Sequence, residues 1–164
     1  MKIKIKTKKI NKKNFSKFGQ IIDTSKKSYF KINNGYAKRY DNLGKINTST
    51  KKGKAIVSIF SAKKRLFPMK IDMMEKHPLG SQAFIPMKEA SFLVFVAPKG
   101  TKPNLKKIEA FTVPRQTGIN YNPGVWHFPL ISTKNMNFLV IDRKGKGKNL
   151  IIHKFKKEKI YLSK

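Results

Sequence analysis

The sequence contains no cysteine. This absence excludes disulfide bonds, zinc–thiolate sites and cysteine nucleophiles, and it fits a reducing cytoplasm. No segment approaches the ~20 consecutive apolar residues that a membrane-spanning helix needs. The N-terminus, MKIKIKTKK, also lacks the apolar stretch of a secretory signal. We therefore expect a cytoplasmic protein with no membrane partner.

Acidic residues are scarce, with eight Asp and Glu against 38 Lys and Arg, which gives a net charge of +30. A charge of this size is typical of proteins that bind nucleic acid. Only four of the basic residues are arginine, however, and arginine is preferred for bidentate contacts with phosphates and bases. The lysines are spread along the chain, so we expect a solvated surface that attracts small anions. A basic nucleic-acid-binding β-barrel is the less favoured alternative.

Long amphipathic helices are also missing from the pattern. Short apolar or alternating runs, separated by Gly- and Pro-containing turns, predict strands at 2–6, 55–60, 69–75, 91–97, 108–113, 137–143 and 150–155. Many short strands without helices between them favour a mainly β sandwich or barrel. One short helix is predicted over 10–18, with Gly19 as its stop. The length and the twelve Phe residues suffice for a single domain over 1–164.

Three histidines are the strongest candidates for chemistry. His77 and His127 both lie in apolar segments flanked by turns, and Gln82 follows His77 at the start of the next strand. The two imidazoles are either metal-binding and catalytic groups or hydrogen-bonded structural side chains. Glu75 shares the face of His77 if that segment is extended. His153 lies among lysines and is expected at the surface or on an edge strand.

Arginine is rare enough here that two positions stand out. Arg39 lies near an Asn-rich turn, and Arg143 ends a predicted strand. A guanidinium clamps a carboxylate in bidentate fashion better than an ammonium does. The alternative for each arginine is a structural ion pair, for example with Asp41 or Asp142.

Five strings occur in one order along the chain: KINNGYAKRYDNL, EKHPLGSQAFIPM, FLVFVAP, GINYNPGVWHFPL and FLVIDR. On these strings, from Phe15 to Arg143, the sequence resembles the ureidoglycolate lyase family, formerly called ureidoglycolate hydrolases. The resemblance implies a cupin-like β-barrel, or double-stranded jelly roll, with one or two short helices. It further implies a homodimer that cleaves (S)-ureidoglycolate to glyoxylate and urea in allantoin degradation, with nickel as a divalent metal cofactor in some members.

The resemblance also implies a set of site residues. The catalytic candidates are His77, His127 and Gln82, and the same three side chains are the candidate metal ligands. The candidate substrate-binding residues are Arg39, Asn34, Ser81, Tyr121, Trp126 and Arg143. The sequence departs from the family at Phe128, where members often have a second histidine after the Trp-His pair. On a strand, Phe128 would face away from a pocket that His127 enters.

The chemistry asks for a base that takes the substrate hydroxyl proton and for a proton on the departing ureido nitrogen. An imidazole can do either job because it titrates near neutrality, so we expect His77 or His127 to be the base or the acid, with a metal as a further means of polarising the hydroxyl oxygen. Arg39 or Arg143 would hold the carboxylate, while Asn34 and Gln82 would hydrogen-bond the urea part. A non-catalytic cupin-like protein that binds a small carboxylate is the alternative function.

Overall fold

The structure is a computed structural model that describes residues 2–25 and 27–164. One short α-helix, α1 (Lys12–Phe15), lies near the N-terminus, and single 3-10 turns occupy Asn33–Gly35, Thr50–Lys52 and Leu105–Lys107. The strands are β1 (Lys2–Lys6), β2 (Lys8–Lys9), β3 (Gly19–Ile22), β4 (Phe30–Ile32), β5 (Ala37–Arg39), β6 (Lys54–Ala62), β7 (Met69–Ile71), β8 (Met73–Lys76), β9 (Gln82–Pro86), β10 (Phe92–Ala97), β11 (Glu109–Val113), β12 (Gly118–Tyr121), β13 (Trp126–His127), β14 (Ile131–Ser132), β15 (Met136–Lys144), β16 (Ile151–Lys154) and β17 (Lys159–Ser163). The predicted mainly β class with few short helices is confirmed.

Two large sheets form the body of the protein. One runs in the order β16-β8-β13-β10-β11-β2, with β14 also paired to β10, and the other runs β3-β12-β9-β15-β6. A smaller sheet, β1-β17-β7, and the hairpin β4-β5 complete the described part of the chain. The order of strands in the large sheets differs from their order in sequence. This interleaving is what brings residues from distant segments next to each other.

Strand β10 shows how the hydrophobic core is divided. All six of its residues are buried, so both of its faces are covered. Successive side chains of a strand point to opposite faces. Accordingly Phe92, Val94 and Val96 belong to one apolar cluster, which includes residues of the five-stranded sheet. Leu93 and Phe95 belong to a second cluster, which includes β7 and β17 of the three-stranded sheet.

The predicted short helix is present, but it is shorter than the predicted range 10–18. Asn11 caps α1 by accepting a hydrogen bond from the Asn14 backbone, and the Asn14 side chain accepts one from the Asn11 backbone in return. The helix ends at Phe15, and Gly19 opens β3 instead of stopping a helix. A Cβ atom at Gly19 would lie 2.1 Å from the Asn120 carbonyl oxygen, so the close approach of β12 requires glycine there.

The predicted strand over 69–75 is two strands in the structure. Strand β7 pairs with β17, whereas β8 pairs with β13 and β16 of a different sheet. The chain changes sheet at Asp72, whose carbonyl accepts a hydrogen bond from the Phe155 backbone. A continuous apolar alternation does not reveal such a switch, because both pieces keep the period of a strand.

Within the described ranges, no helix has both the length and the apolar character needed to cross a membrane.

Candidate active site

Two neighbouring strands place the histidines together. Strand β8 pairs with β13 so that Glu75 lies directly opposite His127, and residues opposite each other in a sheet share a face. His77 follows one residue after the end of β8, two positions from Glu75. The ring centroids of His77 and His127 are 5.2 Å apart. The fold thus gathers a carboxylate and two imidazoles from segments about fifty residues apart in sequence.

The three side chains form a compact cluster. One ligand atom from each of Glu75, His77 and His127 lies within 4.8 Å of the others. The Glu75 Oε1 atom is 3.6 Å from the Nε2 atom of His127 and 3.9 Å from that of His77. These distances exceed those of ordinary hydrogen bonds, so no hydrogen bond joins the Glu75 carboxylate to either Nε2 atom.

Backbone carbonyls orient both imidazoles. The Nδ1 atom of His77 lies 2.7 Å from the Asn149 carbonyl oxygen, and the Nδ1 atom of His127 lies 3.1 Å from that of Val125. A carbonyl only accepts hydrogen bonds, so each neutral ring carries its proton on Nδ1 and presents an Nε2 lone pair to the cluster. Both Nε2 atoms are buried without a hydrogen-bond partner in the described chain.

Tyr121 forms one wall behind His127. The two rings stack with centroids 4.4 Å apart and an angle of 15° between their planes. Burial, and then the charge of Glu75, raise the pKa of the Tyr121 phenol far above its ordinary value, so it stays protonated. Tyr121 therefore fixes the orientation of the His127 ring by stacking on it and adds no charge beside that ring.

Gln82 and Asp142 stand beside the cluster. Strand β9 lies between β12 and β15, which puts Gln82 opposite Tyr121 and close to Asp142. The Gln82 Nε2 atom donates to the Asp142 Oδ2 atom at 3.3 Å. The remaining oxygens, Oε1 of Gln82 and Oδ1 of Asp142, are buried without partners in the residues that the structure covers. These two unsatisfied acceptors add to the two unsatisfied imidazole nitrogens.

A cavity of about 590 Å³ opens onto these groups. Glu75, Gln82 and His127 line it, and His77 lies next to Glu75 and His127. Its apolar walls come from Phe84, Phe60, Pro129 and Leu130, and its basic rim comes from Lys63, Lys64 and Arg65. The cavity combines an apolar surface with a few converging polar groups, as small-molecule sites do.

Burial and charge set the protonation of the cluster. Burial lowers the pKa of His77, and the neighbouring charge of His127 lowers it further; the Asn149 carbonyl, Glu75 and Asp142 oppose this only in part. For Glu75, burial alone would raise the pKa, but contact with His127 and the charges of both histidines bring it below its ordinary value. Near neutral pH, His77 is therefore a neutral imidazole and Glu75 a carboxylate.

This protonation makes a testable prediction. We expect the imidazole of His77 to titrate below 6.5, its ordinary pKa. As the pH falls through 6.5, the unfolded chain takes up this proton before the folded protein does, so the contribution of His77 destabilises the fold in acid. Proton NMR on the three imidazoles, assigned with single His→Ala variants, gives the midpoint. A midpoint for His77 above 6.5 would contradict the prediction.

Other residues predicted for the site lie elsewhere. Trp126 is buried on the opposite face of β13 from His127, and its indole donates to the Gly100 carbonyl. Phe128 is buried in the same apolar cluster as Trp126, so it does face away from His127. Ser81 is buried next to Gln82, but its hydroxyl accepts a hydrogen bond from the Asn47 backbone.

The two predicted carboxylate clamps do not line the cavity. Arg143 is buried, and its Nε and Nη2 atoms donate to the Thr50 carbonyl, with Nη2 also donating to Lys146. Arg39 lies on the exposed hairpin β4-β5, as does Asn34, and its Nε atom bonds Asp41. Sequence reasoning missed Arg65 at the rim. The string AKKRLF directly after a predicted strand was the available signal.

Comparison with known proteins shows relatives that match almost the whole chain. The family model described as "Ureidoglycolate lyase" matches residues 2–162. A protein of Pseudomonas aeruginosa strain LESB58 named ureidoglycolate lyase is 45% identical over 152 residues, which cover 92% of this chain and 90% of the relative. Proteins of the same name from Pseudomonas fluorescens strain Pf0-1 and Azotobacter vinelandii strain DJ are each 43% identical, over 91% and 89% of this chain and 90% and 89% of the relatives. The chain therefore belongs to the ureidoglycolate lyase family.

Proposed function

We propose that this protein is a lyase that splits (S)-ureidoglycolate into glyoxylate and urea. Family membership supports the reaction, and one structural observation supports the site. Two buried polar atoms without partners in the described chain, Nε2 of His127 and Oε1 of Gln82, belong to residues that line one cavity. Two more, Nε2 of His77 and Oδ1 of Asp142, belong to residues directly beside them. Buried polar groups are rarely left unsatisfied unless a ligand or water completes them. A small polar substrate fits that requirement.

His127 is the group we assign to proton transfer, because of the two histidines it is the one that lines the cavity. Its Nε2 lone pair takes the substrate hydroxyl proton as the carbonyl of glyoxylate forms and the carbon–nitrogen bond breaks. The electron pair of that bond goes to the ureido nitrogen, which then takes the same proton from the imidazolium to give urea. Glu75 stabilises the imidazolium between the two transfers. No net proton is consumed, as the overall reaction requires.

Gln82 is suited to hold the urea part. Its Oε1 atom accepts hydrogen bonds, and a ureido group offers several N–H donors. Asp142 fixes the Gln82 amide through the 3.3 Å contact. The rim of Lys63, Lys64 and Arg65 draws in the substrate carboxylate by its positive field.

The cluster also fits a divalent metal. Two imidazole Nε2 atoms and a carboxylate are donors that transition metals such as nickel accept, and Glu75, His77 and His127 would hold the ion. Gln82, a predicted ligand, stays a candidate for a further position. A bound metal would polarise the substrate hydroxyl oxygen. A coordinated Nε2 atom cannot also accept a proton, so metal binding and base catalysis by His127 exclude each other, and a chelator separates them.

The deciding experiment incubates the protein with racemic ureidoglycolate, with and without chelator, and measures glyoxylate, urea and ammonia. We expect glyoxylate and urea in equal amounts and consumption of one enantiomer. Ammonia and carbon dioxide in place of urea would indicate a hydrolase, and binding without turnover would indicate the carboxylate-binding alternative. Full activity in chelator supports His127 as the base, whereas loss that added nickel restores supports the metal.

We also propose that the protein is one domain over 1–164 and that it works in the cytoplasm without binding nucleic acid. We propose further that its active form is a homodimer. Strand β6 lies at the edge of its sheet and pairs only with β15 in the described chain. Its Val57 and Ile59 side chains are exposed, which is typical of a surface that a partner covers. Two chains of charge +30 repel each other, so added salt should strengthen the dimer.

A further inference from the structure

An exposed arm carries apolar side chains that the described part of its own chain leaves largely uncovered. The arm comprises residues 29–40, and its strands β4 and β5 pair only with each other in the described chain. Tyr29, Phe30, Ile32 and Tyr36 are 42%, 63%, 38% and 93% exposed. An isolated two-stranded hairpin is marginally stable in water and needs packing against another surface. The arm therefore requires a surface supplied from outside its own chain.

The conformation of the arm is specified by its own residues. Asn33, Asn34 and Gly35 all have positive φ angles, a conformation that asparagine and glycine adopt at low cost. The Tyr29 and Tyr40 rings pack with centroids 5.5 Å apart at its base. The local sequence thus presents Tyr36 next to the turn in a defined shape, which lowers the entropy lost when the arm docks.

A second uncovered apolar surface lies on β6 of the same chain. Val57 and Ile59, 68% and 52% exposed, share one face of β6, while Phe60, 39% exposed, lies on the face towards the cavity. The edge between these two faces is unpaired within the covered residues. Phe60 and the next two residues of β6 also line the cavity. A segment that lies along the unpaired edge of β6 would contact both faces and would therefore reach the cavity rim.

The following inference rests on the proposed function. We propose that two copies exchange arms, so that the arm of each chain lies along β6 of the other and completes that chain's active site. Arg39 of the partner subunit then enters the cavity and binds the substrate carboxylate. Within its own chain, Arg39 uses its Nε atom to bond Asp41. Its remaining guanidinium nitrogens are the ones that meet the substrate.

The exposed area matches what a stable dimer needs. At ~200 Å² for a large side chain, the four apolar arm residues present roughly 500 Å² and the three β6 residues roughly 300 Å². A symmetric pair in which both arms dock would bury on the order of 1,500 Å², within the ~1,200–2,000 Å² of standard interfaces. A two-fold axis relates the two contacts, since each chain contributes one arm and binds one arm of its partner.

The cavity itself needs closing. Its volume of about 590 Å³ is that of a site for a drug-sized ligand, and ureidoglycolate is much smaller. Docking of the arm removes the surplus space and excludes water, which strengthens the electrostatic contacts inside. Arg39 of the arm and the basic rim of Lys63, Lys64 and Arg65 carry like charges, and the substrate carboxylate between them offsets their repulsion.

Purified heterodimers, made by co-expressing two differently tagged chains, test the exchange. The first heterodimer pairs an Arg39→Ala chain with a His127→Ala chain. The second pairs a wild-type chain with a chain that carries both substitutions. If arms act across the dimer, the first has one intact site and about half of wild-type activity, while the second has none. Arg115→Ala paired with His127→Ala is the matched control, because Arg115 is an exposed arginine away from the arm and cavity.

The reverse pattern, an inactive first heterodimer and a half-active second, would overturn the exchange and place each arm over its own cavity. Full activity of Arg39→Ala alone would overturn it as well. In sedimentation, Tyr36→Asp should convert dimers to monomers, and an unchanged dimer would count against the arm as the interface. A wild-type protein that releases no glyoxylate would refute the proposed function, yet the sedimentation result would still decide on the arm.

Discussion

The His127→Ala variant is expected to lose roughly 100- to 10,000-fold in kcat, the usual contribution of general acid–base catalysis. His127 is the imidazole that lines the cavity, and its Nε2 atom has no protein partner in the covered chain. We expect His77→Ala to lose at least ~100-fold, because the cluster of Glu75, His77 and His127 that positions the base or holds a metal would lack one of its three side chains. Steady-state kinetics on ureidoglycolate measure both losses, and circular dichroism checks that both variants fold.

His153→Ala is the matched control for these variants. His153 lies on the edge strand β16 against Trp126 and Phe155, outside the cavity, so its loss should leave kcat within about twofold of wild type. Wild-type turnover in a folded His127→Ala protein would remove His127 from proton transfer. The same result for His77→Ala would leave that residue a structural role only.

The strands were predictable where a short apolar or alternating run lies between turn residues. The runs at 55–60, 91–97, 108–113 and 137–143 all lie within or overlap observed strands, because a continuous apolar or alternating pattern and flanking turns mark them locally. The short strands β13 and β14 were not predicted, since two residues carry no period. Their pairing depends on β10, which lies some thirty residues earlier in the chain.

The geometry of the candidate site was predictable only in part. Alternation on an extended strand predicts that Glu75 and His77 share a face, and the cluster contains both. No local pattern predicts that β13 pairs with β8 and brings His127 opposite Glu75, because that contact joins residues fifty positions apart. The arm was also unpredictable, since the exposure of Tyr36 is a property of the packed surface and not of the sequence around it.

The Arg143→Ala variant separates the clamp role that the sequence suggested from the structural role that the contacts favour. Arg143 is 7% exposed, and its guanidinium donates to the carbonyls of Thr50 and Lys146. Alanine would leave both carbonyls without that donor, and hydrogen bonds from a charged group contribute ~1.5–3 kcal/mol each. We expect the free energy of unfolding to fall by about 2–4 kcal/mol. Urea denaturation measures this loss.

The contact with Thr50 explains why the loss should be one of stability and not of substrate affinity. Arg143 fills a tight space, because Cβ atoms at Gly53 and Gly80 would lie 2.2 and 2.7 Å from its side chain. It therefore holds the segment before β6 against the end of β15. The KM of the folded Arg143→Ala fraction should match wild type, while Arg115→Ala should change stability by less than ~0.5 kcal/mol. Unchanged stability with a raised KM would instead return Arg143 to the substrate carboxylate.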